Sequence, residues 1–271
     1  MTQSDKLTLK NTAVNYRRAG EGDLTLIFIH GNSMSIESFD RQFDSSLADK
    51  YSLAAIDLPG HGGTRIGDNG KQFYSVPGLI SFLVDVIGEL KPENYILMGH
   101  SLGGHIAIEA AGKLDGLRGI MAWGTPPLTY RDIGLSPFTD HPAIPLIFSE
   151  NLDEKDVDAL SKAYWSKNSE PPSVISKKII QTDPAFRSAM SKSIEAGEWV
   201  DEVEVIEALS CPVALGIGEH DVIVNREYIL KAVEEKIWDK KLQIIPGAGH
   251  SAHMENPGEF NRWVEEFVES A

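Results

Sequence analysis

The chain has 271 residues, with 25 Lys and Arg against 40 Asp and Glu, and therefore a formal net charge of −15. This length suits one large domain, and the negative charge argues against nucleic-acid and membrane-surface binding because such a chain repels phosphate groups and anionic lipid. A neutral or cationic small molecule is the partner that this charge admits most easily.

Cysteine usage and the termini bear on the compartment. Cys211 is the single cysteine, so no disulfide can form within the chain, and its place before Pro212 at the start of an apolar run predicts a buried small residue. The first six residues lack the apolar region of a secretory signal, and no run reaches the roughly 18 apolar residues of a membrane span. We therefore expect a cytoplasmic protein.

The first part of the chain alternates strand and helix patterns. Residues 7–9 and 12–18 alternate loosely around Lys10-Asn11, which predicts an antiparallel hairpin. Further strands are predicted at 24–29, 51–56, 95–98 and 119–123, with helices at 38–47 and 76–90.

The pattern changes after the sixth strand. Between 125 and 208 prolines separate short helical patterns and no run is typical of a buried strand, which predicts a helical cap inserted into a core domain of residues 1–124 and 209–271. Strand and helix patterns return at 213–217, 226–233, 241–245 and 257–268. This alternation predicts an α/β protein with one mostly parallel sheet and helices on both faces.

One motif lies between a predicted strand and a predicted helix. It reads Gly99-His100-Ser101-Leu102-Gly103-Gly104, the strand, sharp turn and helix of a nucleophile elbow. Such a turn holds a serine hydroxyl at the top of a sheet, and its glycines allow the neighbouring chain segments to approach closely. Ser101 is therefore the predicted nucleophile.

A serine hydroxyl needs a base to take its proton and an acid to orient that base. The expected chain order is serine, acid, histidine, with the last two in loops after strands. Asp221 and Glu219 share the loop after one predicted strand, and we prefer Asp221 as the acid. His250 and His253 follow the next strand, and the Gly-Ala-Gly segment before His250 favours that residue as the base.

A tetrahedral intermediate needs backbone N–H donors for its oxyanion. The elbow predicts one donor from the residue after the serine, Leu102, and one from the loop after an earlier strand. In this chain that loop begins His30-Gly31, which makes Asn32 the second predicted donor.

The remaining histidines and aromatic residues have less specific interpretations. His30 and His61 lie in glycine-rich loops, where we expect them to anchor the backbone, and His105 on the elbow helix is expected to pack behind the site. Trp123, Tyr164 and Trp165 are candidates to line a substrate cavity, with ordinary packing as the alternative. We find no metal-ligand spacing and no phosphate-binding loop, so neither a metal nor a cofactor is expected.

Taken together, these motifs resemble the α/β-hydrolase fold family over essentially the full length of the chain. The resemblance implies an α/β-hydrolase fold and a serine hydrolase that needs no cofactor. It is carried by His30-Gly31-Asn32, Asp57-Leu58-Pro59-Gly60-His61-Gly62, the elbow at Ser101, Gly218-x-x-Asp221 and Gly249-His250.

Within that family the chain is similar to the metal-independent N-acyl-homoserine lactone lactonases. The similarity implies opening of the lactone ring, the reaction of quorum quenching. At the position of Asp221, similarity to these lactonases would also tolerate Glu. It is weakest in residues 151–202, where acyl-chain selection is expected. The similarity lies in His30-Gly31-Asn32-Ser33, Ser101-Leu102-Gly103-Gly104-His105-Ile106, Gly124-Thr125-Pro126-Pro127 and Ile147-Phe148-Ser149-Glu150.

Two classes of function follow from the sequence. The first is a serine hydrolase of a small neutral ester or lactone, with general carboxylesterases, perhydrolases and C–C hydrolases using the same machinery. A serine nucleophile argues against haloalkane dehalogenases and epoxide hydrolases, which use aspartate. The second class is a small-molecule receptor that keeps the triad without turnover, which the fold alone does not exclude.

Overall fold

The computed structural model describes residues 3–9 and 12–271. Over these residues the chain forms an eight-stranded sheet in the order β1-β2-β4-β3-β5-β6-β7-β8. β1 pairs antiparallel with β2, β2 pairs antiparallel with β4, and all other neighbours run parallel. The strands are β1 Gln3–Leu9, β2 Thr12–Ala19, β3 Thr25–Ile29, β4 Ser52–Ile56, β5 Tyr95–His100, β6 Leu117–Trp123, β7 Val213–Gly218 and β8 Gln243–Ile245.

The central strands are buried on both faces. Every residue of β5 and of β7 is buried, as expected of parallel strands covered by helices on each side. Two apolar clusters lie on opposite faces of the sheet because successive side chains of a strand alternate. The predicted hairpin is confirmed by the pairing of β1 with β2, and its Lys10-Asn11 connection lies outside the described residues.

Helices pack on both faces of the sheet. Short 3₁₀ turns occur at Ile36–Phe39, Asp68–Phe73, Ala111–Lys113, Pro145–Phe148, Glu234–Lys236 and Trp238–Lys240. The α-helices are α1 Asp40–Phe43, α2 Leu47–Lys50, α3 Val76–Leu90, α4 Leu102–Ala110, α5 Glu154–Ala163, α6 Ser173–Gln181, α7 Pro184–Glu195, α8 Glu202–Ala208, α9 Arg226–Val233, α10 Ala252–Glu255 and α11 Pro257–Val268.

The predicted helix over 38–47 is wrong, because the structure breaks it into separate short turns. The hydroxyl of Ser45 donates to the carbonyl of Gln42 at 2.7 Å and accepts from the amide of Leu47 at 3.2 Å. A serine that bonds to the local backbone in this way competes with the helical hydrogen bonds. The helical pattern therefore ends at this serine and restarts at α2.

Helix α3 begins and ends where the sequence predicts. The Ser75 side chain accepts from the amide of Gly78 and caps the first turn. At the other end Lys91 adopts a left-handed conformation with φ 49°, and Pro92 follows. A proline cannot continue the hydrogen-bonded helix, so the chain turns here into β5.

The segment between the sixth and seventh strands is helical. It contains the 3₁₀ turn Pro145–Phe148 and helices α5 to α8. It is tied to the sheet domain near its start and between α6 and α7, since Tyr228 Oη donates to the carbonyl of Pro127 at 2.8 Å and the amide of Asp183 donates to the carbonyl of Gly60 at 2.9 Å. These bonds hold the helical segment over the carboxyl ends of the strands.

Two chain-level expectations can be compared with the structure. Cys211 is less buried than expected, because it lies in the exposed turn that leads into β7. Its thiol is free, and its partial burial raises the pKa of the thiol. Over residues 3–9 and 12–271, no helix combines the length and the apolar character needed to cross a membrane.

Candidate active site

Ser101 lies at the sharp turn between β5 and α4. Its backbone has φ 50° and ψ −117°, a conformation that a residue other than glycine rarely adopts. The turn is fixed by neighbouring strands, since Ser101 N donates to the carbonyl of Trp123 at 2.9 Å and Thr125 Oγ1 donates to the carbonyl of Ser101 at 2.9 Å. The predicted elbow is therefore present, with its strain held by the surrounding backbone.

The glycine after the elbow allows α4 to lie against the sheet. A Cβ added at Gly103 would lie 2.1 Å from the carbonyl oxygen of Ile29, the last residue of β3. Backbone atoms cannot move away as a flexible side chain could. This position therefore requires glycine.

His250 and Asp221 meet across two loops at the carboxyl ends of β8 and β7. The distance from His250 Nδ1 to Asp221 Oδ2 is 2.8 Å, and both side chains are almost completely buried. The other carboxylate oxygen of Asp221 accepts from the amides of Ile223 and Val224 at 2.8 and 3.1 Å. Because the carboxylate fixes the proton on Nδ1, the Nε2 atom of His250 is left with a free lone pair.

Glu219 and His253, the alternatives in the same loops, have other partners. Glu219 Oε2 accepts from the amide of Gly247 at 2.8 Å. His253 Nδ1 accepts from the indole N–H of Trp123 at 2.9 Å, and burial together with the nearby His250 lowers the pKa of His253 to about 3. Neither residue joins the His250–Asp221 pair.

The histidine loop lies directly beside the elbow. His100 Nε2, on the residue before Ser101, donates to the carbonyl of His250 at 3.0 Å, and the two imidazole rings are 5.0 Å apart. A Cβ added at Gly124, which has φ 61°, would lie 2.9 Å from His250 Cε1. The absence of a side chain at Gly124 gives the imidazole room beside the elbow.

Asn32 and Leu102 face the same cavity as Ser101. Within the described residues, neither backbone amide donates to a protein acceptor. The Asn32 side chain is held in place, since Nδ2 donates to the carbonyl of Ile147 at 3.0 Å and Oδ1 accepts from Ser33 Oγ at 3.0 Å. Leu102 begins α4, so its N–H lies at the positive end of the helix dipole.

The cavity above Ser101 has a volume of about 200 Å³ and mostly apolar walls. It lies between the sheet domain and the segment that joins β6 to β7. Its walls are formed by Asn32, Val76, Leu79, Ser101, Leu102, His105, Ile106, Glu109, Leu128, Phe138, Ile144, Ile147, Phe148, Met190, Ile194, Trp199 and Ile223.

Comparison with known families agrees with this geometry. A model of the alpha/beta hydrolase family matches residues 26–263, which is most of the chain. The chain belongs to the alpha/beta hydrolase family.

Relatives within this family include lactonases and other enzymes. A mutant of the N-acyl homoserine lactonase AidH, complexed with N-hexanoyl homoserine, superposes with a TM-score of 0.91 at 27% identity, covering 100% of this chain and 97% of the other. A Bacillus subtilis protein with the proposed activity of a 2-succinyl-6-hydroxy-2,4-cyclohexadiene-1-carboxylate synthase is 27% identical over 95% of this chain and 96% of its own. The mouse serine hydrolase BPHL is 23% identical over 98% and 86%.

The walls of this hydrolase cavity do not include the three aromatic residues that the sequence proposed. Trp123 points to the opposite face of the sheet, where it is fully buried against Phe260 and His253. Tyr164 is buried beside His250, with the two ring centroids 5.7 Å apart, and its hydroxyl donates to the carbonyl of Asn32 at 3.2 Å. Trp165 is partly buried, and its indole N–H donates to Ser169 Oγ at 2.9 Å. None of the three side chains lines the cavity, Tyr164 contacts the Asn32 loop, and their contact with a substrate stays a prediction.

His30 and His61 anchor loops, as predicted. His30 Nε2 accepts from the amide of Leu58 at 2.9 Å, and His61 Nε2 accepts from the amide of Ser33 at 3.1 Å. Burial lowers the pKa of both imidazoles, which favours the neutral rings that can accept these bonds. They hold the two loops that border Asn32.

His105 and Glu109 form a polar wall that the sequence reading missed in part. His105 Nδ1 donates to both carboxylate oxygens of the fully buried Glu202, at 2.8 and 2.9 Å. The sequence signal for Glu109 is a glutamate on the apolar side of the elbow helix, eight residues after Ser101. Across the described part of the chain, no group of three or more His, Cys, Asp or Glu side chains is arranged to hold a metal ion.

Proposed function

We propose that this hydrolase cleaves small carboxylic esters or lactones with Ser101 as the nucleophile, His250 as the base and Asp221 as the acid that orients His250. The observation that carries the proposal is the buried 2.8 Å bond between His250 and Asp221 beside a strained serine elbow. A histidine held by a carboxylate on Nδ1 presents Nε2 as the base, which is what a serine hydroxyl requires.

In the first step Ser101 Oγ attacks the carbonyl carbon while His250 Nε2 takes the hydroxyl proton. The carbonyl π electrons move to its oxygen, and the resulting oxyanion accepts from the amides of Asn32 and Leu102. Asp221 keeps the imidazolium oriented and stabilises its charge without taking the proton itself.

The intermediate then collapses to an acyl-enzyme. The carbonyl re-forms, the bond to the alcohol oxygen breaks, and His250 returns the proton to that oxygen. In a lactone the alcohol stays attached to the acyl group through the opened ring. A water molecule then attacks the ester carbon with His250 again as the base, and Ser101 leaves as the free hydroxyl, so that the product is a carboxylic acid.

We propose N-acyl-homoserine lactones as the leading substrates. The likeness to AidH extends over the whole chain at 27% identity, and mostly apolar walls suit an acyl chain. The activity proposed for the Bacillus subtilis relative gives a product that, by its name, carries a carboxylate. The described residues that line the cavity include no lysine or arginine for such a group, which favours a neutral ester over an anionic substrate.

Residues 125–208 are proposed to act as the cap that selects the acyl group, over a core domain of residues 1–124 and 209–271. Several cavity walls come from this segment, among them Leu128, Phe138, Phe148, Met190 and Trp199. The nucleophile and its base lie in the core, so exchange of cap residues should change substrate preference while the chemistry is retained.

A pH-stat assay tests the proposal. Purified protein is given N-acyl-homoserine lactones of several chain lengths and p-nitrophenyl esters, and acid release is counted per molecule of protein. The proposal predicts many turnovers, with the lactones preferred. Hydrolysis of the nitrophenyl esters alone would support an esterase activity and contradict the proposed lactonase activity. Tight binding without turnover of any ester would favour a receptor.

A further inference from the structure

The elbow helix places two polar side chains in line with Ser101. His105 and Glu109 follow Ser101 at intervals of four residues, so the three share one face of α4. With a rise of 1.5 Å per residue, His105 lies about 6 Å and Glu109 about 12 Å along the helix axis from Ser101. All three line the cavity, which therefore extends from the reacting centre to a carboxyl group.

The Glu109 carboxyl is only partly hydrogen bonded. The residue is 8% exposed, and its Oε2 accepts from the amide of Val200 at 3.2 Å. Within residues 3–9 and 12–271, Oε1 makes no hydrogen bond, and the carboxyl is held through Oε2 alone. Buried carboxyl oxygens are normally satisfied, so an oxygen that faces a cavity without a protein donor is open to a ligand donor.

The charges around Glu109 are not balanced by protein groups. Burial disfavours the cationic form of His105, but the charge and hydrogen bond of Glu202 and the charge of Glu109 together raise its pKa. Glu202 also accepts from the amide of Leu128 at 2.7 Å. Even a protonated His105 would balance only one of these two glutamates. Lys113, the other cation that acts on Glu109, lies at the solvent-exposed end of the helix.

A proton on Glu109 would remove the unbalanced negative charge. Burial, followed by the charge of Glu202, raises the pKa of Glu109 to about 7, so its carboxyl takes up a proton far more readily than an exposed one. A ligand cation at Oε1 would neutralise the same charge without the proton.

We propose that Glu109, with His105 and Glu202 behind it, binds a protonated amine at the far end of the substrate's acyl group. The inference rests on the proposed hydrolase function and adds to it a preference for esters or lactones whose acyl chain ends in an ammonium group. The ammonium donates to Glu109 Oε1 and balances the charge of that carboxylate. The apolar walls between Ser101 and Glu109, including Leu79, Ile106 and Met190, contact the methylene chain.

Hydrolysis of matched esters tests the proposal. We compare p-nitrophenyl octanoate, 8-hydroxyoctanoate and 8-aminooctanoate above the Glu109 pKa, where the carboxylate is ionised. A hydrogen bond between two charged groups is stronger than one between neutral groups, so kcat/KM for the amino ester should exceed that for the hydroxy ester by about tenfold or more. Equal values for the amino and hydroxy esters would overturn the proposal, because charge would then make no difference.

Two matched variants localise the effect. Glu109→Gln removes the charge and keeps the shape, so the preference for the amino ester should disappear. Glu204→Gln, on the exposed side of α8, changes the net charge equally but lies outside the cavity, so the preference should remain. Retention of the preference in Glu109→Gln would contradict the proposed contact.

Calorimetry with Ser101→Ala separates this inference from the proposed reaction. The folded variant should bind hexylamine more tightly than 1-hexanol, and the further change Glu109→Gln should remove the difference. If no ester is hydrolysed by the native protein, the hydrolase proposal fails while this binding comparison still decides the amine site. Equal affinities for the two hexyl probes would overturn the site even if the variant carrying Glu109→Gln failed to fold.

Discussion

The His250 imidazole donates through Nδ1 to Asp221 Oδ2 at 2.8 Å, and neither side chain is more than 2% exposed. Glu219, only two residues from Asp221, bonds the backbone of Gly247 instead. The loop thus contains two carboxylates, of which one contacts the histidine.

This difference gives a prediction for a matched pair of variants. Asp221→Asn should lower kcat by about 10⁴, the size of effect seen when a triad aspartate becomes an amide in a serine protease, because the histidine adopts the wrong tautomer. Glu219→Gln should lower kcat only slightly. Steady-state kinetics on the best ester checks both variants, and equal losses would contradict the assignment of Asp221.

The buried Arg187 is predicted to position the Asn32 loop. Its Nε donates to Ser33 Oγ at 3.0 Å, and that hydroxyl donates to the Asn32 side chain. Loss of an oxyanion donor costs about 10²–10³ in rate, so a displaced donor in Arg187→Met should lower kcat by about tenfold with a smaller change in KM. The exposed Arg41→Met serves as the control. An unchanged kcat in a folded Arg187→Met protein would show that Ser33 and Asn32 hold their positions without the guanidinium.

Two glycines near the ends of the elbow helix should respond differently to a methyl group. Gly103→Ala places Cβ 2.1 Å from a backbone oxygen, whereas Gly112→Ala meets no atom within 4 Å. Overpacking of a well-packed site typically costs about 1–3 kcal/mol, so Gly103→Ala should lower the free energy of unfolding by at least about 1 kcal/mol. Gly112→Ala should be neutral or stabilise slightly. Urea denaturation compares them, and equal stabilities would contradict the close approach of α4 to β3.

The ionisation of Glu109 should appear in the pH dependence of stability. Its pKa is raised from 4.5 to about 7 in the folded protein, mainly by burial and then by Glu202. Between these values the folded state binds more protons than the unfolded state, so the free energy of unfolding falls as pH rises and levels off above pH about 7. In Glu109→Gln this fall should be smaller by on the order of 1–3 kcal/mol. Denaturation at several pH values checks this, with Glu204→Gln as control, and parallel curves would contradict it.

The fold and the polar loops could be predicted because their signals are local. The elbow at Ser101 is a contiguous motif, and strand order in this fold brings the loops of Asp221 and His250 to the same edge of the sheet. The ends of α3 follow from Ser75 and Pro92 for equally local reasons.

The cavity walls could not be predicted in the same way. Trp123 ends a strand whose two faces are both apolar, so the sequence has no alternation of polar and apolar residues to show on which face of the sheet the indole lies. A shift of one residue would turn the indole to the other face. Glu109 and Glu202 come together only because α8 packs on α4, a contact between distant parts of the chain. Proline-rich turns between 125 and 150 carry wall residues without any periodic pattern.

The central claim is that Ser101 performs ester or lactone hydrolysis. The most direct measurement is the turnover rate of native protein and of Ser101→Ala on N-hexanoyl-homoserine lactone and p-nitrophenyl butanoate, with circular dichroism to establish that both are folded. We predict multiple turnovers by the native protein and a loss of at least about 10³-fold in kcat for the folded variant. Comparable turnover by Ser101→Ala would contradict the claim.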